Sequence, residues 1–369
     1  MSIDFFKKYT SNTCAGSANQ LYFSTNGRVQ TSRALYKIFA QGEYNYSILF
    51  SNTIDSTYAD GSISQKNLVC GEWKIHSARI GRCAKMPQGD EVYTTTEIDA
   101  YDFKELTFDE KREKTVAPAE IFASDPVSYR FEAGEYLCLE IEYSGDMIPY
   151  HEESIIPIFA RAEHGWKYDK RMPPASMVGC DRCVQRRIAY AGDSITQGIG
   201  VPNNSYEFWN ARVSGALGEK NAYWNLGIGF GRANDASSDG AWLHKIKQND
   251  LVIVCYGVND ICQGMSEEQI KRDLATIVER LSEAGCQIIL QTIPPFDYDK
   301  EKTERWLRIN EYIKAVLSKR VALVFDNVPY LSKSESEPQI AKYGGHPNEQ
   351  GCKVWAHALV EAIKKSSLI

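Results

Sequence analysis

Four short stretches carry residues that could do chemistry. In "AGDSITQG", residues 191–198, Ser194 follows Gly192 and Asp193 at the start of a helical segment. A small Gly192 permits a tight turn. A serine hydroxyl at a helix start lies among backbone N–H groups, which suits a nucleophile whose product is an oxyanion. In "NLGIGFGRAND", residues 225–235, Gly227, Gly229 and Gly231 let backbone approach a ligand closely. In "GVND", residues 257–260, Asn259 follows Gly257 and can donate a side-chain N–H to developing negative charge. In "AKYGGHPNEQG", residues 341–351, His346 stands between a Gly-Gly pair and a proline, as a general base on a loop would. Each stretch alone also has a plain reading: a turn with a helix cap, a sterically required glycine, an Asx-turn, a surface histidine. The glycines lack GxGxxG spacing and do not follow the first strand of their half, which argues against a dinucleotide site.

The elements around these stretches place them together. Residues 1–170 read as β. "YNYSILF", "VYTTTEIDAYDF", "VSYRF" and "YLCLEIEY" are rich in β-branched and aromatic residues, and "STNG", "ADGS", "MPQGD" and "EAGE" separate strands. "TFDEKREK" fits a short helix or a charged hairpin. Many short strands with turn signals imply an antiparallel sandwich. Residues 187–369 instead alternate strand and helix: "RIAYA", "AYWNLGI", "DLVIVCYG", "QIILQTI" and "VALVFD" are strands, and "SEEQIKRDLATIVERLSEAG" is an amphipathic helix with Ser266 as its N-cap. This pattern predicts a five-stranded, doubly wound parallel sheet, with residues 171–186 as a linker. In such sheets ligands bind beyond the carboxyl ends of the strands, where all four stretches fall.

Taken in this order, the four stretches resemble the SGNH (GDSL-type) hydrolase family over residues 187–369. "GDSITQG" matches its nucleophile block, "GVND" its GxND block, and "GGHPNEQG" its final block in the histidine and the following Pro-Asn. The resemblance implies a flavodoxin-like α/β domain in which Ser194 is the nucleophile and His346 the general base. It implies an oxyanion hole from the Ser194 N–H, an N–H of the glycine turn at Gly229 or Gly231, and the Asn259 amide, with Asp193 and Gly257 in support. Two positions depart from the family. Phe230 stands where the family has a single glycine five residues after the asparagine. Tyr343 stands where many members have the aspartate that orients the histidine, and a tyrosine carries no negative charge at neutral pH. The expectation is that the Nδ1 of His346 faces a main-chain carbonyl of the 341–345 loop. Asp326, Asp297 and Asp299 are the alternative partners. Carbohydrate esterase family two is similar in having a jelly-roll-like β-sandwich before an SGNH domain and a Ser–His pair held by a carbonyl.

Bulk properties bound the rest. The chain has 369 residues, a net charge of −6 and 24% charged residues, which argues against nucleic acid as a main partner. The longest apolar run, "LVIVCYGV", is far short of the roughly 18–20 residues of a membrane span. The first residues lack the apolar stretch of a secretory signal, so a cytoplasmic location is expected. The ten cysteines, including Cys180 and Cys183 in a lone CxxC, read as reduced thiols.

No metal or organic cofactor is expected. The expected partner is a small-molecule or oligosaccharide ester, with neither nucleic acid nor membrane. Tyr206 and Trp209 in "NNSYEFWN" could stack on a sugar face or belong to the core, and the β half could carry a sugar site of its own. The function these readings support is a serine esterase removing a small acyl group, O-acetyl on a carbohydrate. The alternatives are a lipase, lysophospholipase or thioesterase, and a carbohydrate-binding protein without turnover.

Overall fold

The computed structural model describes residues 4–15, 18–57, 65–132 and 134–369. The "ADGS" turn lies outside the described residues. The first half is built of antiparallel strands. One sheet has five: Thr10–Ser11, Met177–Cys180, Gly42–Ser51, Ile121–Ala123 and Val127–Phe131. A second has seven, with Gln30–Lys37, Tyr136–Gly145 and Trp73–Cys83 at its centre. The period-two pattern sends Tyr46, Ile48 and Phe50 of the first sheet and Ile75, Ile80, Leu139 and Ile141 of the second into one shared core. A separate hairpin, Thr53–Thr57 with Gln65–Val69, reaches the other half.

One local expectation changes and one open reading is decided. "VYTTTEIDAYDF" is not one strand: Glu91–Thr94 is a helical turn and the strand begins at Ala100. Val92 is fully buried in a satellite cluster with Met86, Phe159 and Trp166, so local packing overrides the β propensity of the threonines. "TFDEKREK" is a hairpin turn, closed by a bridge between Phe108 and Lys111.

The second half is a five-stranded parallel sheet, here numbered β1 (Arg186–Gly192), β2 (Asn221–Asn225), β3 (Leu251–Cys255), β4 (Gln287–Gln291) and β5 (Leu323–Phe325), in the order 2-1-3-4-5. All five residues of β3 are buried, as the continuous apolar run requires of a strand covered on both faces. The helices of this half are α1 (Ser194–Gln197), α2 (Trp209–Leu217), α3 (Ala233–Ala236), α4 (Ala241–Ile246), α5 (Val258–Cys262), α6 (Glu267–Glu283), α7 (Lys300–Ala315), α8 (Val328–Leu331) and α9 (Glu349–Lys365). Helix α6 starts where Ser266 accepts from the Gln269 N–H, and it buries Ile270, Leu274, Ile277, Val278 and Leu281 along one stripe. Full burial of such a side chain stabilises by about 1.5–3 kcal/mol.

The halves are not separated by free chain. Met177–Cys180, inside the segment expected as a linker, pairs with Gly42–Ser51 of the β half. Phe5, Phe6 and Cys14 from the start of the chain pack into the α/β core, with Phe6 against Trp224. Lys245 of α4 and Asp55 of the hairpin form an ion pair at 2.6 Å with both side chains fully buried. Loss of one partner there would strand a charge, at a cost of about 3–5 kcal/mol. The hairpin also docks on α3, through Ser56 to Asp235 at 3.0 Å and Lys66 to the Asn234 side chain at 2.9 Å.

Candidate active site

Ser194 is the first residue of α1, directly beyond the carboxyl end of β1. Gly192 makes this possible, because a Cβ there would lie 2.1 Å from Thr196 Oγ1 and 2.5 Å from the Cys255 carbonyl oxygen. Asp193 caps the helix, its Oδ1 accepting the Ile195 N–H at 3.0 Å. The Asp193 carboxyl is 2% exposed, and burial raises its pKa to about 7. Beneath the turn, Trp209 Nε1 donates to the Ile195 carbonyl at 3.1 Å.

The glycine-rich turn after β2 packs directly on α1. Asn225, 2% exposed, donates to the Gln197 carbonyl at 3.0 Å and accepts the Gly227 N–H at 2.9 Å. A Cβ on Gly227 would lie 2.2 Å from Gln197 N, so only glycine fits. The Gly231 N–H donates to the Ile228 carbonyl at 3.0 Å, closing a turn with Phe230 at φ 58°. Position three of such a turn ordinarily takes glycine or asparagine, so Phe230 is held in a conformation bulky residues avoid. Because the Gly231 N–H closes this turn, it is engaged within the protein, which corrects Gly231 as a candidate oxyanion donor. Gln20 of the β half donates to the Gly229 carbonyl at 3.2 Å. That bond fixes the plane of the 229–230 peptide, with the Phe230 N–H trans to the carbonyl.

Asn259 lies in α5, just beyond β3. Gly257 precedes it at φ 126°, and a Cβ there would lie 2.4 Å from Ile293 Cδ1. The Asn259 amide donates one N–H to the Gly231 carbonyl at 3.0 Å, tying this block to the glycine turn. An amide nitrogen has two N–H groups, so a second remains for a ligand. Asp260, fully buried, accepts the Ala233 N–H at 3.0 Å; burial raises its pKa to about 7.

His346 meets this assembly from the loop before α9. Its Nε2 lies 2.8 Å from Ser194 Oγ. Both residues are part-exposed, open to a ligand on one side. Gly200, at φ 110°, lets the chain after α1 press against this loop, since a Cβ there would lie 2.8 Å from the His346 carbonyl oxygen. Burial lowers the His346 pKa below its ordinary 6.5.

The expected orienting bond is not formed: among the described residues no carbonyl of the 341–345 loop accepts from Nδ1. The Tyr343 carbonyl instead accepts the Asn348 N–H at 3.1 Å, and its side chain packs over Gly351 at the start of α9. The alternative aspartates are engaged elsewhere. Asp297 accepts the Ala341 N–H at 2.9 Å, Asp299 caps α7 through the Lys302 N–H at 2.9 Å, and Asp326 accepts from Thr292 at 3.0 Å. The imidazole is flanked by the Phe296 ring, edge to face.

Two further expectations are corrected. Trp209 is fully buried and stacks on Trp355 at 4.7 Å, so it faces the core rather than a ligand. Tyr206 plugs the junction of the halves, its hydroxyl accepting the Lys37 N–H at 3.1 Å. Sequence reasoning gave no place to Asn225, Gln197, Gln20 or Glu153, which the structure sets against the glycine turn and α1. Only Asn225 had a local signal, its place at the end of a strand before a glycine turn. Among the described residues no group of three or more His, Cys, Asp or Glu side chains could hold a metal ion, the cysteines are free thiols, and no helix is long and apolar enough to cross a membrane.

A serine bonded to a histidine thus stands beside an amide donor and a glycine turn at the carboxyl edge of a parallel sheet. Residues 190–354 match the model of the GDSL-like Lipase/Acylhydrolase family. No curated protein matches the chain. Among solved structures, a family two carbohydrate esterase from Cellvibrio japonicus is 13% identical, covering 97% of this chain and 96% of its own, with a TM-score of 0.39. Axe2, an acetylxylan esterase from Geobacillus stearothermophilus, is 17% identical over 51% of this chain and 96% of its own, with a TM-score of 0.40. The psychrotrophic esterase EstA from Pseudoalteromonas sp. is 17% identical over 48% of this chain and 97% of its own, with a TM-score of 0.40.

Proposed function

We propose that the protein is a serine esterase that removes a small acyl group, acetyl, from a carbohydrate. The observation that carries the reading is the 2.8 Å contact between Ser194 Oγ and His346 Nε2. In this reading His346 takes the hydroxyl proton as Ser194 attacks the ester carbonyl. The Ser194 N–H, a turn N–H from Gly229 or Phe230, and the free N–H of Asn259 hold the oxyanion. His346 then protonates the leaving alcohol, and water cleaves the acyl-serine by the same steps in reverse. The β half, read as a jelly-roll-like sandwich forming a domain of its own, supplies one wall of the cleft. The wall is polar: Gln20 bonds Gly229, and the Gln197 amide donates to the Glu153 carbonyl. Such a wall favours a hydroxyl-rich alcohol over an apolar one, whose surface finds no apolar contact there.

The test is a comparison of p-nitrophenyl acetate with p-nitrophenyl octanoate. Acetate turnover at least tenfold faster, abolished by Ser194→Ala, supports the reading. Faster octanoate turnover overturns the acetyl assignment, and no turnover of either overturns the esterase.

A further inference from the structure

The glycine-rich turn between β2 and α3 is held from outside by the β half. Residues Ile228 to Gly231 are closed by the Gly231 N–H on the Ile228 carbonyl, and of the two central residues only Phe230 has a positive φ, 58°. That is the pattern of a type II turn, whose third position ordinarily takes glycine. The peptide between the central residues, 229–230, takes no part in the closing bond. Reversing it gives a type I turn with the same closing bond and a negative φ at Phe230, which a bulky residue prefers. The turn's own residues therefore favour the reversed peptide, and the observed one needs a hold from elsewhere.

Gln20 of the β half supplies one. Its Nε2 donates to the Gly229 carbonyl at 3.2 Å, and turning the amide over would set oxygen against oxygen, so the donor must face the turn. A reversed peptide would take the carbonyl away and strand a buried donor. Gly229 lets the β half come this close: a Cβ there would lie 1.9 Å from Glu153 Oε2 and 3.1 Å from Gln20 Nε2. Gln20 is itself fixed. Its N–H donates to the Tyr150 carbonyl at 3.0 Å. The neighbouring Asn19 donates its N–H to Asp55 Oδ2 at 2.8 Å and its side-chain N–H groups to the Ser51 and Thr53 carbonyls at 2.6 and 2.9 Å. The same Asp55 oxygen pairs with Lys245 of α4. Asn19, Gln20, Asp55 and Lys245 are all buried, so a chain of sealed polar contacts runs from α4 through the hairpin and back onto the turn.

We propose that Gln20 is a positioning residue for the acyl-transfer reaction, holding the 229–230 peptide with its carbonyl toward the β half and its N–H toward the oxyanion. The assignment rests on the esterase reading and adds to it a residue from outside the half that carries Ser194, Asn259 and His346. A reversed peptide would place a carbonyl oxygen where the N–H stands and oppose the charge that develops in the transition state. The hold matters when that charge forms, so its loss falls on kcat rather than KM.

The experiment uses the full chain with p-nitrophenyl acetate. Gln20→Met keeps the length of the side chain and removes the donor. It is expected to lower kcat about 10- to 100-fold with KM within about twofold. Inhibition by phenylboronic acid, which forms a tetrahedral adduct on the serine, is expected to weaken by the same factor as kcat. The discriminating background is Phe230→Gly, because glycine takes the positive φ without strain. In that background Gln20→Met is expected to cost less than about threefold. A bond that only joins the halves would give the same loss in both backgrounds, and that result overturns the assignment. So do an unchanged kcat in Gln20→Met and a loss confined to KM. Should Gln20→Met fail to fold, judged by its melting curve, Gln20→Asn serves in its place, its amide one methylene short of the carbonyl. No turnover by the wild type overturns the esterase reading and the assignment with it. Wild-type turnover with an unimpaired Gln20 variant overturns the assignment alone.

Discussion

The rings of His346 and Phe296 meet edge to face, with centroids 5.6 Å apart and planes at 78°. Phe296 follows Pro294 and Pro295, which end β4, so the contact ties the histidine loop to the sheet edge. It holds the imidazole by packing, at a place where a carboxylate would hold it by charge. A carboxylate would favour the imidazolium; burial favours the neutral ring. The lowered pKa of His346 has burial as its cause. A general base must be neutral to accept the serine proton, so activity is lost only as pH falls through the lowered value. The acid limb of kcat/KM on p-nitrophenyl acetate is therefore expected below the ordinary 6.5 of an imidazole. A limb at or above that value would show a charge partner that the packing does not provide.

Ser194→Ala and His346→Ala should each lower kcat by about 10⁴-fold or more, and the double variant should be little worse than either. The two act as one unit: a serine without its base and a base without its serine both leave only the oxyanion donors. Steady-state kinetics of the three variants decide this. A double variant whose loss equals the product of the single losses would mean that the 2.8 Å contact is not the working one.

Asn259 donates one N–H to the Gly231 carbonyl at 3.0 Å, and the proposed mechanism gives its other N–H to the oxyanion. Asn259→Ala is expected to cost about 10²–10³ in kcat with little change in KM, since the charge it faces develops only in the transition state. A rise in KM with kcat intact would assign it to ground-state binding.

The parallel half was legible because its signals are local. Continuous apolar strands such as Leu251–Cys255 and capped helices such as Glu267–Glu283 need no knowledge of the rest of the chain. Ser194, Asn259 and His346 were legible for the same reason, each fixed by neighbours in sequence. The contacts of Gln20 with the glycine turn and of Glu153 with Gln197 were not, because they arise where two halves meet, and sequence spacing carries no record of that. Trp209 misled in the same way: an aromatic beside a nucleophile looks like a sugar platform until its stacking on Trp355 is seen. Glu91–Thr94 shows the limit within one segment, where burial of Val92 outweighed a strand-forming composition.

His151 should make the fold sensitive to acid. Its pKa is about 4 in the folded protein, against an ordinary 6.5, and burial is the largest cause. Above 6.5 the ring is neutral in both states and the folded state is not penalised. As pH falls from 6.5 toward 4 the unfolded chain takes up a proton that the folded one refuses, so stability is lost over that window. A difference of this size corresponds to about 3 kcal/mol. Asp193 and Asp260 run the other way, because their pKa values are raised from 3.8 to about 7. They stay protonated in the fold while the unfolded chain ionises, so their contribution falls as pH rises through the same window. The two aspartates outweigh the histidine and mask it in the wild-type curve, so the informative quantity is the difference between wild type and His151→Gln. That difference should shift in favour of the variant as pH drops from 7 to 4, read as unfolding midpoints in urea at several pH values. A difference independent of pH would mean that His151 takes its proton in the folded state as readily as in the unfolded one, and so is not sealed from water.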